Sequence, residues 1–487
     1  MQLFTQQPGA AAAYQNFIDG KFVESRGNTI DVSNPATLDV IARVPDSGSE
    51  VVDQAVQAAK RAQPAWEKLP AIERARHLKA IAAKVRANAE PLARLITEEQ
   101  GKVLPLARIE VNFTADYIDY MAEWARRIEG EILTSDRAGE SIFLFRKPIG
   151  VTAGILPWNF PFFLIARKMA PALVTGNTIV IKSSEETPLN AFAFAGLVAE
   201  TDLPAGVFNL VSGTGANTGA HLAAHRDVGL ISFTGSVETG SKIMQMAATN
   251  LTRVNLELGG KAPAIVLADA DLDLAAKAIY DSRVINTGQV CNCAERVYVA
   301  RPVADAFLDR ITRLMRETRY GDPLAMPDLN MGPLVNRAGL DKVTGMVDRA
   351  RAAGAEVVTG GKPADVSRGH HYEPTVIANC RADMEIMQKE VFGPVLPIQI
   401  VDDVEEAVAL SNASDYGLTS SIFTNDLNTA MRASRDLRFG ETYINREHFE
   451  AMQGFHAGRR KSGIGGADGK HGLYEFTETQ AVYLQHG

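Results

Sequence analysis

Cys291 stands in the run Asn286-Thr-Gly-Gln-Val-Cys291-Asn-Cys293, whose small and polar neighbours suit an accessible thiol. An accessible thiol in an electropositive setting ionises and attacks carbonyl carbon. The competing reading is a small buried residue, the usual fate of a free cysteine. Cys291-x-Cys293 has no matching Cys or His pair nearby, so no zinc site is indicated, and Cys380 has no motif around it. Upstream, Glu257 ends the apolar run Leu256-Glu257-Leu258-Gly259-Gly260-Lys261. A carboxylate reaching from there into a cleft, its pKa raised by burial, is a general base for water. Paired with Lys261 it is a structural ion pair instead. Asn159, in Leu156-Pro157-Trp158-Asn159-Phe160-Pro161, is held by flanking prolines. Its side-chain N–H suits a developing oxyanion, whereas an Asn in a turn more often bonds its own backbone.

A second group of residues suits a dinucleotide. Phe233-Thr234-Gly235-Ser236 ends a strand and opens a helix, where glycine allows close approach and the helix N-terminus favours phosphate oxygens. Gly213-Thr-Gly215 is only a fragment of a phosphate-loop fingerprint. Lys182 with Glu185 ends another strand; the pair can hold adenosine ribose hydroxyls, and the carboxylate repels a 2′-phosphate. The alternative for Lys182-Ser-Ser-Glu185 is a solvated loop.

These side chains need elements to position them. Ala-rich helical spacing runs from Glu50 to about Gly101, a natural helix stop. From Gly150, short apolar strands alternate with helices: GVTAGIL, NTIVIKS, VFNLVSG, GLISFTG and RVNLELG imply βαβ units and a buried parallel sheet. A second block follows Gly260, with APAIVLA, RVYVA, AEVVTGG, VLPIQIV and GLTSSIFT as strands. Two α/β domains with a ligand cleft between them are expected. Tyr474 to Gln485 reads as a strand that pairs outside its own domain.

A chain of 487 residues exceeds one core, and 46% hydrophobic with 22% charged residues is the composition of a globular enzyme. The net charge of −8 with no basic block argues against nucleic acid or an anionic membrane as partner. Three cysteines are too few for a disulfide framework. The most apolar stretch, Gly150 to Val174, is interrupted by Pro157, Pro161, Arg167, Lys168 and Pro171, so it is not expected to span a membrane. With no signal-peptide pattern at the N-terminus, a cytoplasmic location is expected.

The order and spacing of these motifs, with Glu390-Val391-Phe392-Gly393-Pro394 further on, resemble the aldehyde dehydrogenase superfamily over essentially the whole chain. That resemblance implies an α/β fold with two Rossmann-like domains and a small β oligomerisation element. Residues 1–128 and 149–259 would bind NAD, 260–465 would be catalytic, and 129–148 with 466–487 would form the oligomerisation element. It implies Cys291 as nucleophile, Glu257 as the base for water, and Asn159 with the Cys291 backbone N–H as the oxyanion hole. Cofactor-binding residues would be Trp158, Lys182, Glu185, Gly235, Ser236, Leu258, Glu390 and Phe392.

Members of broad aliphatic or aromatic specificity line their aldehyde tunnel with aromatics, and three such positions align here with Arg167, Glu450 and His456. A tunnel so lined is expected to bind apolar groups weakly and to prefer a small hydroxylated aldehyde. An Arg167–Glu450 ion pair with no substrate role is the alternative. The segments Phe113 to Arg127 and Gly440 to His456 resemble the bacterial lactaldehyde/glycolaldehyde dehydrogenase branch, implying NAD-linked oxidation of small hydroxyaldehydes in a homotetramer. A semialdehyde dehydrogenase, with Arg167 gripping a substrate carboxylate, is the second expectation.

Overall fold

The computed structural model describes residues 12–24 and 27–486. Its first unit is an eight-stranded sheet in the order Gly463–Ile464, Arg253–Leu258, Leu230–Gly235, Val151–Ile155, Thr178–Lys182, Phe208–Val211, Asn16–Ile18 and Lys21–Val23. The five strands from Arg253–Leu258 to Phe208–Val211 run parallel. Helices cover such a sheet on both faces, so its strands are continuous apolar runs; Val151–Ile155 and Thr178–Lys182 are buried at every position. Register does the positioning. It aligns Thr234 with Glu257, Gly235 with Leu258, and Ile155 with Lys182. The polar residues that end these apolar runs therefore gather at the carboxyl edge of one sheet, where α/β folds bind ligands.

The second unit is a seven-stranded sheet in the order Glu356–Thr359, Thr375–Ala378, Val395–Val401, Arg296–Ala300, Pro263–Val266, Thr419–Phe423 and Glu441–Ile444. All neighbours are parallel except the first pair. Thr375–Ala378 and Glu441–Ile444 are strands that the periodicity did not single out. Glu441–Ile444 (ETYI) lacks the continuous apolar run that marks the neighbouring strands.

A separate three-stranded antiparallel sheet joins Glu131–Thr134, Glu140–Pro148 and Thr477–Gln485. The C-terminal strand thus pairs with a mid-chain hairpin, as its position beyond the second block suggested. It begins later than Tyr474, which ends the short helix Gly469–Tyr474. Ile132 and Tyr483 on this sheet are 76% and 65% exposed.

Helix Ala89–Gln100 stops at Gly101, whose φ of 80° is the left-handed conformation glycine adopts freely. Gly150 to Val174 divides between strand Val151–Ile155 and helix Phe163–Thr175, every residue of which is buried, Arg167 and Lys168 included. Among the described residues no helix is long and apolar enough to cross a membrane.

Candidate active site

Cys291 follows a backbone that costs energy to hold. Asn286, Thr287 and Gly288 have φ values of 47°, 59° and 72°, unfavourable for the two that carry side chains. Hydrogen bonds over-determine this turn. Gln289 Nε2 donates to Asn286 O at 3.0 Å, its Oε1 accepts from Val335 N at 2.9 Å, and Thr287 Oγ1 donates to Gly332 O at 3.0 Å. The Gly-Gln before the cysteine thus forms a brace rather than merely a permissive turn. Cys291 is partly exposed; Cys293 and Cys380 are buried. Burial pushes the Cys293 thiol up to about 12 and that of Cys380 up to about 11, so neither competes as a nucleophile.

Two cavities meet at this cysteine. Asn159, Thr234, Glu257 and Cys291 line both of them. One cavity runs toward Trp158, Ser236, Glu390 and Phe392; the other passes Phe113, Phe163, Phe449 and Arg167. Such an arrangement lets two molecules reach one sulfur from opposite sides. Asn159 does not bond its own backbone: one of its two side-chain N–H groups donates to Gln289 O at 3.1 Å.

Glu257 departs from the sequence-based expectation in two ways. Lys261 is not its partner, being paired with Glu295 at 2.7 Å. Nor is its pKa raised. Burial pushes it up, but Lys168 at 3.6 Å, Arg167 at 3.9 Å, the His456 ring and a 3.0 Å hydrogen bond from Thr234 Oγ1 outweigh that, and the carboxyl sits at about 2. The hidden signal lay in helix Phe163–Thr175, where Arg167 and Lys168 are cations in an otherwise apolar run and turn toward Glu257.

The tunnel differs from the polar passage expected. Phe113, Phe160, Phe163, Leu164 and Phe449 form much of its wall, and the polar groups Arg167, Glu450 and Asn292 join them beside Cys291 and Glu257. Phe113 comes from helix Leu104–Glu123, so an element distant in sequence supplies apolar wall that three substituted positions could not reveal. Arg167 pairs with Glu450 at 3.1 Å, but it also donates through Nε to Asp468 Oδ1 at 3.0 Å and through Nη2 to Asp468 Oδ2. Asn292 Nδ2 donates to Glu450 Oε2. Asn292 and Asp468 are thus site residues that the motifs did not single out.

His456 lies outside the tunnel lining and is 2% exposed. Its Nδ1 meets Glu441 Oε1 at 2.8 Å. Burial opposes charge on this ring, but Glu441, with help from Glu450, lifts its pKa well above the usual histidine range.

The other cavity has the chemistry of a nicotinamide dinucleotide site. Trp158 and Phe392 frame it edge to face, with centroids 5.4 Å apart. Glu390 accepts from Gly260 N at 2.8 Å; burial and the nearby Glu295 raise its carboxyl to about 7. Ser236 caps helix Val237–Ala248 by accepting from Thr239 N. Lys182 is 2% exposed and pairs with Glu185 at 2.8 Å, while Gly215 N donates to Glu185 Oε1 at 2.9 Å. This is a built pair, not a solvated loop. The Gly213-Thr-Gly215 fragment serves it by fixing the carboxylate.

The aldehyde dehydrogenase family model matches residues 22–482. The chain is 61% identical over 470 residues to the lactaldehyde dehydrogenase of Escherichia coli (strain K12), covering 96% of this chain and 98% of that one. A crystal structure of lactaldehyde dehydrogenase from Escherichia coli superposes with a TM-score of 0.97 at 60% identity, covering 98% of this chain and all of that one. Betaine aldehyde dehydrogenase from Staphylococcus aureus in complex with NAD+ is 36% identical, with a TM-score of 0.94, and the match covers 97% and 95% of the two chains.

Proposed function

The chain belongs to the aldehyde dehydrogenase family, and from that premise we propose that it oxidises small hydroxyaldehydes, lactaldehyde to lactate and glycolaldehyde to glycolate, with NAD as acceptor. The observation that carries the substrate class is the polar cluster of Arg167, Glu450 and Asn292 beside Cys291 at the inner end of an aromatic tunnel. A substrate hydroxyl there can join the hydrogen bonds among Arg167, Glu450 and Asn292, a contact that an aldehyde lacking it does not make. The identity to an enzyme named for lactaldehyde supports the same class.

In this reading Cys291 adds as thiolate to the aldehyde carbon. The oxygen of the tetrahedral adduct faces the Asn159 side chain and the Cys291 backbone N–H. Lys182 and Glu185 would hold the adenosine ribose, Gly235, Ser236 and Leu258 the pyrophosphate side, and Trp158, Glu390 and Phe392 the nicotinamide end. NAD, when bound, supplies the hydride acceptor. Oxidation leaves a thioester on Cys291, and Glu257, ionised throughout the neutral range, accepts the proton of the water that cleaves it. The ionised Glu185 opposes a 2′-phosphate, which favours NAD over NADP.

A semialdehyde carboxylate is disfavoured because the Arg167 guanidinium already serves Asp468 and Glu450. Exposed Ile132, Phe145, Tyr483 and Leu484 on the three-stranded sheet support assembly into a homotetramer, which sedimentation velocity tests. Free cysteines, without any disulfide among the described residues, support a cytoplasmic location.

The deciding experiment is kcat/KM for glycolaldehyde, lactaldehyde, propionaldehyde and succinic semialdehyde with NAD and NADP in parallel. Hydroxyaldehydes should exceed propionaldehyde by at least ~100-fold. A succinic semialdehyde preference of orders of magnitude overturns this reading.

A further inference from the structure

Lys102 and Glu110 form an ion pair whose two side chains are each 0% exposed. Burying such a pair carries a desolvation cost that its own attraction seldom exceeds. Replacing both partners with apolar side chains is often neutral or stabilising. Stability alone therefore gives little reason for the pair, and its remaining bonds point elsewhere.

Lys102 Nζ donates to the Asn159 carbonyl at 2.8 Å and rests 3.5 Å from the centroid of the Phe160 ring. Glu110 Oε1 accepts from the backbone N–H groups of Phe162 and Phe163, at 2.9 and 3.1 Å, where helix Phe163–Thr175 begins. The pair thus grips the segment 159–163 at both ends. Asn286 Nδ2 donates to the same Asn159 carbonyl at 3.1 Å. One carbonyl oxygen therefore ties together Lys102, the Asn159 backbone and the strained turn that leads to Cys291.

We propose that Lys102 and Glu110 are positioning residues: they set the Asn159 amide relative to Cys291 so that its free N–H meets the developing oxyanion. This inference rests on the role given to Asn159 above and adds the device that holds it. Lys102 lies in the loop after helix Ala89–Gln100, and Glu110 in helix Leu104–Glu123. The packing of that helix against the Asn159 segment is thereby converted into alignment at the reacting carbon. Removing the anchor leaves every group that touches substrate in place and loosens only their geometry, and a displacement of about 1 Å costs on the order of 100-fold.

The test is a double-mutant cycle on kcat for glycolaldehyde with NAD, using Lys102→Met, Asn159→Ala and the combination. Lys102→Met should lower kcat by about 10- to 100-fold while KM and the NAD dissociation constant stay near wild type. Lys102→Arg, which keeps a cationic donor, should recover most of the loss. In the Asn159→Ala background the same substitution should cost nothing further. Should Lys102→Met fail to fold because Glu110 is left unpaired, Lys102→Met/Glu110→Gln removes both charges and carries the same expectation. A wild-type kcat in a folded variant, or losses that multiply with Asn159→Ala, overturns the positioning role. A wild type inactive on every aldehyde overturns the functional reading, and this inference with it.

Discussion

Glu257, buried, and Glu390, partly buried, line the same cavity, yet one carboxyl is held at about 2 and the other is raised to about 7. Burial pushes both upward, so it cannot be what separates them. The neighbours do. Glu257 faces Lys168, Arg167 and an imidazolium, whereas Glu390 faces the carboxylate Glu295, itself held ionised at about 2 by Lys261 and Arg283. One end of the cavity is built around a permanent negative charge, and the other around a carboxyl that changes charge in the physiological range. The first stays a carboxylate at every pH near neutrality. The second suits a contact whose strength follows pH.

The largest effect should come from Glu257→Gln. Removing the permanent charge leaves Lys168 and Arg167 facing a neutral amide, and turnover is expected to fall by about 10²–10⁴-fold. If Glu257 serves only deacylation, a rapid first turnover of NADH persists in stopped flow while the steady state stalls. Wild-type steady-state turnover in this variant would break the functional side of the contrast.

Glu390→Gln should do less to turnover and more to pH dependence. As Glu390 ionises near pH 7 it becomes a pure acceptor for ribose hydroxyls, so NAD binding is expected to tighten several-fold as pH rises through about 7. Fluorescence titration across that range should show the slope in the wild type and none in the variant.

Thermal stability sharpens the contrast, because the two groups have opposite linkage signs. The folded pKa of Glu257 lies below its ordinary value of 4.5, so its stabilisation is complete above that value and fades as pH falls toward 2. That of Glu390 is raised, so its contribution is present below 4.5 and is lost as pH rises through 7. Melting temperatures between about pH 5 and pH 8 should show a constant deficit for Glu257→Gln. Glu390→Gln should gain on the wild type from pH 5 to about 7 and level off above it.

The smallest effect is expected at Cys293. Its thiol is buried and raised to about 12, so Cys293→Ser should leave turnover near wild type. Iodoacetamide should label Cys291 alone in the native protein, as read by peptide mass; labelling of Cys293 would contradict its burial.

Motif residues were legible because strand ends are written locally. Apolar runs with a polar terminus, such as Leu256-Glu257 and Ile181-Lys182, announce both the strand and the residue it delivers. Glu257 was found this way, Asn159 from its flanking prolines and Cys291 from its small polar neighbours, and the three meet at the junction of two cavities. What surrounds them was not legible. Asp468 lies 301 residues from Arg167, and Glu441 lies 15 from His456 in a strand without an apolar run. Phe113 reaches the tunnel from a helix that periodicity alone places only as amphipathic.

By itself, then, the sequence singled out the side chains proposed to do chemistry and the elements that carry them, since side-chain type and hydrophobic period are properties of short segments. Tertiary structure alone decided the charge states. A carboxylate's pKa depends on ions within a few ångströms, whatever their distance along the chain, and only folding brought Lys168 and Arg167 to Glu257 and Glu295 toward Glu390.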